Sequence, residues 1–437
     1  MVRSLKKGDL KWNYLPVNLI KRAKEVLFMS YDVLRPVPRN KRVYRGVDIF
    51  LLWAGGNTCL ATIFTGGLIA PKLGLINSIL IIFIAATIGG LLLGLVAIAG
   101  AREGLPTMVL TRRVVGKRPS YIASILNALQ LVGWASILLY VSAEAMATAF
   151  KSLGLNGIIA NVVFWVIVIG VIETIYTAIG PEKWVWCQRV AVTSLLIILI
   201  YETHALINYC LSMPEKVVLF KSTLSSSLLW GFDMVLATAV SWAPLVADYA
   251  RFASTEKGAM MGTWWGYGIT SYILYSIGAL AAIVTGAYLG DPTQVLLRLG
   301  LSAALLFFVS VSAVTTNLLN IYSAVMSTLN VFPKLKYVPL VILYGILTTA
   351  LAVVPVLILN FEFFLIYIGV VFVPLTTALI MHYLVPSKRQ SPMVGLTSWI
   401  TGATIGLIIS IWLGYAATLI SLIVTTIIYI SLSRLVS

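Results

Sequence analysis

Ser312, Thr316 and Asn320 recur at four-residue intervals inside an apolar stretch, with Thr315 beside the middle member. On a helix that spacing puts the three on one face. Hydroxyl and carbonyl oxygens are hard ligands suited to an alkali cation, whereas a transition-metal site would use histidine or thiolate. A hydroxyl bonded back to the carbonyl four residues earlier needs no ligand, but this does not account for the whole stripe. A second pair, Gln130 and Trp134, is also four residues apart, with Asn127 just before it. An indole stacks on a flat heteroaromatic ring while an amide reads its edge. The same pair would equally serve as an interhelical hydrogen bond beside a core tryptophan.

Two runs weaken the helices that carry them. Leu52-Trp53-Ala54-Gly55-Gly56-Asn57-Thr58 has adjacent glycines, each costing about 1 kcal/mol of helix propensity relative to alanine. In Ser241-Trp242-Ala243-Pro244 the proline lacks an N–H and crowds the carbonyl of Val240. Close packing explains the glycines and a simple kink explains the proline. Interruptions at matching positions, in the first and sixth apolar segments, are also the pattern of a transporter site built from inverted repeats.

The elements that hold these residues follow from composition. Of 437 residues, 60% are hydrophobic and 11% charged, against about 25% charged in soluble domains. A water-soluble globule and a disordered chain are both excluded. Twelve stretches are long enough to cross a bilayer as helices, at 47–70, 75–100, 120–149, 157–179, 185–209, 226–252, 261–288, 301–331, 338–359, 361–385, 394–413 and 416–435. They are too continuously apolar for barrel strands, which alternate.

The net charge of +16 is topological. With twelve spans, 26 of the 31 basic residues fall on one side, leaving Lys72, Lys151, Lys216, Lys221 and Arg298 on the other. That side is cytoplasmic and carries both termini. The basic segment 1–45 is read as an orientation signal that attracts anionic headgroups, not as a nucleic-acid binder. No removable signal peptide is expected. Cys59, Cys187 and Cys210 make no CxxC pair and read as packing residues. Asp248 and Arg251 read as an ion pair at a helix end. Glu144, Glu173, Glu202, His204, Asp233 and Glu362 lie near span edges and are read mostly as interfacial, with Glu202 and Asp233 able to lie deeper. No P-loop, hydrolase elbow, HExxH or Rossmann fingerprint occurs, so ATP-driven transport within this chain is not expected.

Longer motifs resemble a known family. Ala101-Arg102-Glu103-Gly104-Leu105-Pro106-Thr107, Leu126-Asn127-Ala128-Leu129-Gln130-Leu131-Val132-Gly133-Trp134 and Ser241–Phe252 are similar to segments of the nucleobase–cation symporters. So are Thr315-Thr316-Asn317 and Asn320-Ile321-Tyr322-Ser323-Ala324. Thr65-Gly66-Gly67-Leu68-Ile69-Ala70-Pro71 resembles the hydroxymethylpyrimidine and cytosine permease branch. The likeness covers roughly 38–385. It implies a LeuT-type fold of two inverted groups of five helices (about 46–210 and 222–385, with helices one and six discontinuous) followed by two peripheral helices in 386–437.

The resemblance also implies site roles. The base would lie between spans one, three, six and eight, with Trp134 stacking and Trp242 the nearest span-six aromatic. Asn320, Asn317, Gln130, Ser241 and Asn57 complete the expected substrate set. Some members have glutamine four residues after the span-three tryptophan; here that position is Leu138, and Gln130 on the preceding turn is its substitute. The ion would be held by the carbonyls of Gly55, Thr58 and Ser312 and the hydroxyls of Thr315 and Thr316. Two hydroxyls favour Na+, with H+ as the alternative, and no other cofactor is implied.

The function expected is import of a cytosine-, hydroxymethylpyrimidine- or purine-like base across the plasma membrane by cation symport. Rival readings are a permease for amino acids or for another heterocycle such as hydantoin, an intramembrane enzyme, and a channel. The carried base and the oligomeric state stay open.

Overall fold

A computed structural model describes residues 34–180, 203–204, 207–208, 211–212, 224–285, 303–354, 356–385 and 391–436. Most of the basic leader, nearly all of the expected fifth span, Glu202, Cys187 and Cys210 lie outside the described residues. Among those described the chain is helical, and its one backbone bridge joins Tyr44 to Ala253. Eight helices are long and apolar enough to cross a bilayer, or nine spans if one bent pair counts as one.

That bent pair is the first expected span. Helices α1 (Gly46–Asn57) and α2 (Leu60–Leu73) meet at a 59° bend. The helix ends at Thr58 and Cys59, whose backbones are non-helical. Gly55 and Gly56 stay inside α1, where their lack of a side chain admits a neighbour: a Cβ on Gly56 would lie 2.7 Å from the Leu319 side chain.

Next come α3 (Leu75–Glu103), the short α4 (Thr107–Val115), α5 (Lys117–Ser152) and α6 (Val162–Ile179). Helix α4 was not anticipated as an element. It starts after Pro106 and stops at Gly116, whose φ of +91° suits glycine.

The sixth expected span is α7 (Ser225–Val240) followed by α8 (Ala243–Ala250). It differs from the discontinuous helix anticipated. Ser241 and Trp242 keep right-handed helical angles, and Ser225–Ala250 runs as a single span. The ladder tightens instead, with Trp242 N–H bonding Ala239 O at 3.1 Å and Leu245 N–H bonding Trp242 O at 3.0 Å. Pro244 falls in the first turn of α8, where its missing N–H costs least.

The remaining helices are α9 (Glu256–Thr285), α10 (Ala303–Val331), α11 (Tyr337–Val353), α12 (Val356–Leu359), α13 (Phe361–Leu384), α14 (Pro392–Trp412) and α15 (Ala417–Val436). The stretch expected as one ninth span is thus divided between α11 and α12.

Helix α9 grips both arms of the bent span through glycines. A Cβ at Gly262 or Gly266 would overlap the Gly46 or Phe50 carbonyl of α1, and one at Gly66 would overlap the Tyr275 carbonyl of α9. Small residues allow this backbone approach, as is usual between membrane helices. Polarity is concentrated inside: Asn57, Asn127, Gln130, Asn317 and Asn320 are buried, while Leu129, Ile346, Phe363 and Ile411 are exposed. This is the distribution of a multi-pass membrane protein.

Candidate substrate and ion site

Trp134 lies halfway along α5 and Thr316 and Asn317 halfway along α10, so the polar groups around them sit near mid-depth of the helix bundle. Thr316 Oγ1 donates to Gly56 O at 3.2 Å. Thr315 and Thr316 are both buried. The Thr58 hydroxyl bonds back to Ala54 O at 2.6 Å, and Gly55 O accepts Thr58 N–H at 3.1 Å. The carbonyl that faces the α10 hydroxyl is therefore that of Gly56, one residue past Gly55. Ser312 lies on α10 one turn before Thr316; its side chain is outside the described residues.

Gln130 joins α5 to the tightened turn of the sixth span. Its Nε2 donates to Ser241 O at 3.0 Å and to Asn127 Oδ1 at 2.9 Å, while its buried Oε1 has no partner. Such an unpaired acceptor is unusual in a native interior and is available to a ligand donor. The Ser241 hydroxyl bonds Thr238 O at 2.7 Å. Asn320 Nδ2 donates to Asn317 Oδ1 at 3.3 Å. Asn57 is turned to α9, with Nδ2 on Tyr267 O, Thr270 Oγ1 and Ser271 Oγ at 2.8–3.2 Å. It fixes the C-terminal end of α1 against α9.

The two expected aromatic residues sit in different clusters. Trp134 meets Phe361 and Phe364 of α13 edge-on, at centroid distances of 5.7 and 5.4 Å. Trp242 meets Trp53 of α1 edge-on at 5.8 Å, and Trp53 in turn meets Tyr249 at 6.4 Å. The indole N–H groups of Trp53 and Trp134 are buried without a partner. Phe361 also packs on Phe64 of α2 at 5.1 Å, so one ring on α13 touches both α2 and α5. Phe361, Phe364 and Gly56 were not anticipated. The phenylalanines carry no motif, and their place follows from the path of α13.

Two readings of the charged residues are corrected. Glu173 is not interfacial: it is 0% exposed and hydrogen-bonded to Asn317. Residues Val166, Ile169, Gly170, Glu173 and Thr177 share the buried face of α6, a periodicity that was present in the sequence. Asp248 and Arg251 do not pair through their side chains. Arg251 Nε donates to the Asp248 backbone carbonyl at 3.2 Å and Nη2 to Tyr322 Oη at 2.6 Å. The Asp248 carboxylate instead accepts Thr107 N–H at 2.9 Å, and Thr107 Oγ1 accepts Ala247 N–H at 2.9 Å. Helix α4 is thereby latched to α8. Asp233 is buried, as one reading allowed, and accepts Leu419 N–H at the start of α15.

Comparison with known proteins agrees with this architecture. The chain is 25% identical over 412 residues to YxlA of Bacillus subtilis (strain 168), covering 86% of this chain and 85% of that one. It is 24% identical over 360 residues to the cytosine permease of Escherichia coli (strain K12), covering 81% of each. Its fold matches the structure of Mhp1, a nucleobase-cation-symport-1 family transporter in a closed conformation with bromovinylhydantoin bound. The TM-score is 0.75 at 16% identity, over 93% of this chain and 95% of that one. Residues 36–426 match the family model described as permease for cytosine/purines, uracil, thiamine, allantoin, so the chain belongs to that family and is a membrane transporter, not an enzyme.

Proposed function

We propose that the chain is a sodium-coupled symporter that imports a nucleobase or related pyrimidine by alternating access. The contact between Thr316 Oγ1 and Gly56 O carries the reading. It sets a hydroxyl against a carbonyl where the first span bends, and an alkali ion needs oxygens of these two kinds. Thr315, Ser312 and the neighbouring carbonyls of Gly55 and Thr58 complete the proposed ion site. H+ is the alternative coupling ion.

In this reading Trp134 and Trp242 supply ring faces, and Gln130, Asn320, Asn317 and Ser241 supply edge contacts. Stacking on an aromatic contributes about 1–3 kcal/mol but tolerates many rings, so selectivity falls to the amides. Sodium drives a conformational change only through a difference in its affinity for the two states. Holding α1 against α10 is such a difference. Twelve spans, two inverted groups of five, and cytoplasmic termini in the plasma membrane belong to the same proposal; the charge asymmetry supports the span count and the side of the termini.

A second heterocycle class is favoured by one observation: the matched Mhp1 structure holds bromovinylhydantoin. The test is uptake of radiolabelled cytosine, hydroxymethylpyrimidine, uracil, adenine and hydantoin by proteoliposomes, with and without an inward sodium gradient. Sodium-stimulated uptake of one ring class is expected. Absence of uptake of every ring, or ion leakage without any of them, overturns the proposal.

A further inference from the structure

Glu173 has no place in the site just proposed, yet it is connected to it. Its carboxyl is fully buried, and both oxygens lie 3.0–3.1 Å from Asn317 Nδ2. The same nitrogen is 3.0 Å from Ala135 O. A carbonyl oxygen only accepts, so this contact fixes the amide orientation of Asn317. One of its N–H bonds points to Ala135, and the other is shared by the two carboxyl oxygens. Asn317 Oδ1 then accepts from Asn320. A chain thus runs from Glu173 through Asn317 to Asn320, halfway along α10 and α5.

One shared N–H is weak compensation for an ionised carboxylate at this depth. Among the described residues no basic side chain is near. On the elements packed against α6, the titratable groups are Tyr121, Tyr140 and Glu144 on α5, Tyr322 on α10, and Tyr337 and Tyr344 on α11; α6 itself adds Tyr176. The basic residues of these helices are Lys117, Arg118 and Lys151, at the ends of α5. Lys151 is 16 residues from Ala135, about 24 Å along the helix.

We propose that Glu173 is a proton-binding site coupled to the transport cycle, separate from the sodium site and read out by the asparagine pair. The carboxylate takes a proton from hydronium on one side of the membrane, its O–H bond forming as one of hydronium's breaks and leaves water. On the other side the carboxyl O–H breaks as the proton passes to water, re-forming hydronium. The charged form draws the Asn317 N–H towards Glu173, and the neutral form relaxes that pull. The orientation of Asn317, and through it Asn320, therefore depends on the proton. This inference rests on the transport reading above, and the two fail separately.

The test uses full-length protein in phosphatidylcholine vesicles with equal sodium on both sides. An inward proton gradient is expected to stimulate uptake of cytosine or hydantoin and to acidify a luminal dye. Glu173→Gln should lower that stimulation about tenfold, on the scale of ordinary coupling between sites, while leaving counterflow exchange and the sodium-induced rise in melting temperature intact. Infrared spectra of the same vesicles at neutral pH should show a protonated-carboxyl band that Glu173→Gln removes. If Gln is not tolerated, Glu173→Asp should shift that band and the pH of half-maximal uptake. Unchanged band and gradient response in these variants overturn the proposal. So does loss of the sodium response with the proton response kept, which would make Glu173 a sodium ligand. Failure of wild-type protein to carry any ring counts against the transport reading, and the infrared band still decides Glu173.

Discussion

Thr316 Oγ1 reaches the carbonyl oxygen of Gly56 at 3.2 Å, joining the middle of α10 to the last turn of α1 just before the first span bends. Replacing this hydroxyl by a methyl group keeps the volume and removes the donor. Thr316→Val is expected to abolish the sodium-dependent rise in melting temperature, which in wild type should reach about 2.7 kcal/mol of stabilisation at a hundredfold excess over Kd. Thermal unfolding with sodium or choline chloride measures it. An undiminished rise would move the ion elsewhere.

Trp134 packs edge-on against Phe361 and Phe364. Trp134→Ala should lower stability by about 3–5 kcal/mol, the usual cost of deleting a large buried aromatic, and reduce uptake sharply. Trp134→Phe keeps a ring face, and should recover most of the stability and part of the uptake. Uptake and melting curves of the two variants together separate stacking on substrate from packing on α13.

The Gln130 amide holds the tightened turn of the sixth span through Ser241 O. Gln130→Leu removes that donor and leaves a buried carbonyl unpaired, at a cost of about 1–3 kcal/mol. A rise of about tenfold or more in the KM for the transported ring is expected in initial-rate uptake. An unchanged KM would assign Gln130 to packing alone.

Thr107 and α8 exchange two hydrogen bonds, one in each direction. Thr107→Val keeps the backbone donor to Asp248 and deletes the acceptor for Ala247 N–H. The latch should loosen by about 1 kcal/mol. Accessibility of a cysteine placed at Ser323 to a membrane-impermeant thiol reagent, applied to inside-out vesicles, should increase by about fivefold.

Asp233 of α7 accepts the Leu419 N–H at the first turn of α15. A carboxylate there is favoured by the unpaired N–H groups and the dipole of the helix. Asp233→Ala should cost about 1–2 kcal/mol in thermal unfolding, with the KM for uptake unchanged. An altered KM would tie α15 to the transport site.

The membrane solvent, the helical class and the interrupted first span were legible because lipid imposes them. A backbone in hydrocarbon must satisfy itself, so long apolar runs become helices and polar residues turn inward. Asn57, Gln130, Thr316, Asn317 and Asn320 are all buried, as that rule requires. The pairings of Gln130 with Ser241 and of Asn317 with Asn320 bring together residues that the sequence had singled out.

Partner choice was not legible in the same way. The sequence alone determined that polar groups occupy the interior of a polytopic helical bundle, because period and hydropathy are local properties. Only the tertiary structure decided that Asn57 turns to α9, that Trp134 meets α13, that Gly56 stands opposite Thr316, and that Glu173 is enclosed beside Asn317. Each depends on the rotation and depth of helices far apart in the chain, which are set by close packing at residues such as Gly262 and Gly66 and not by any local motif.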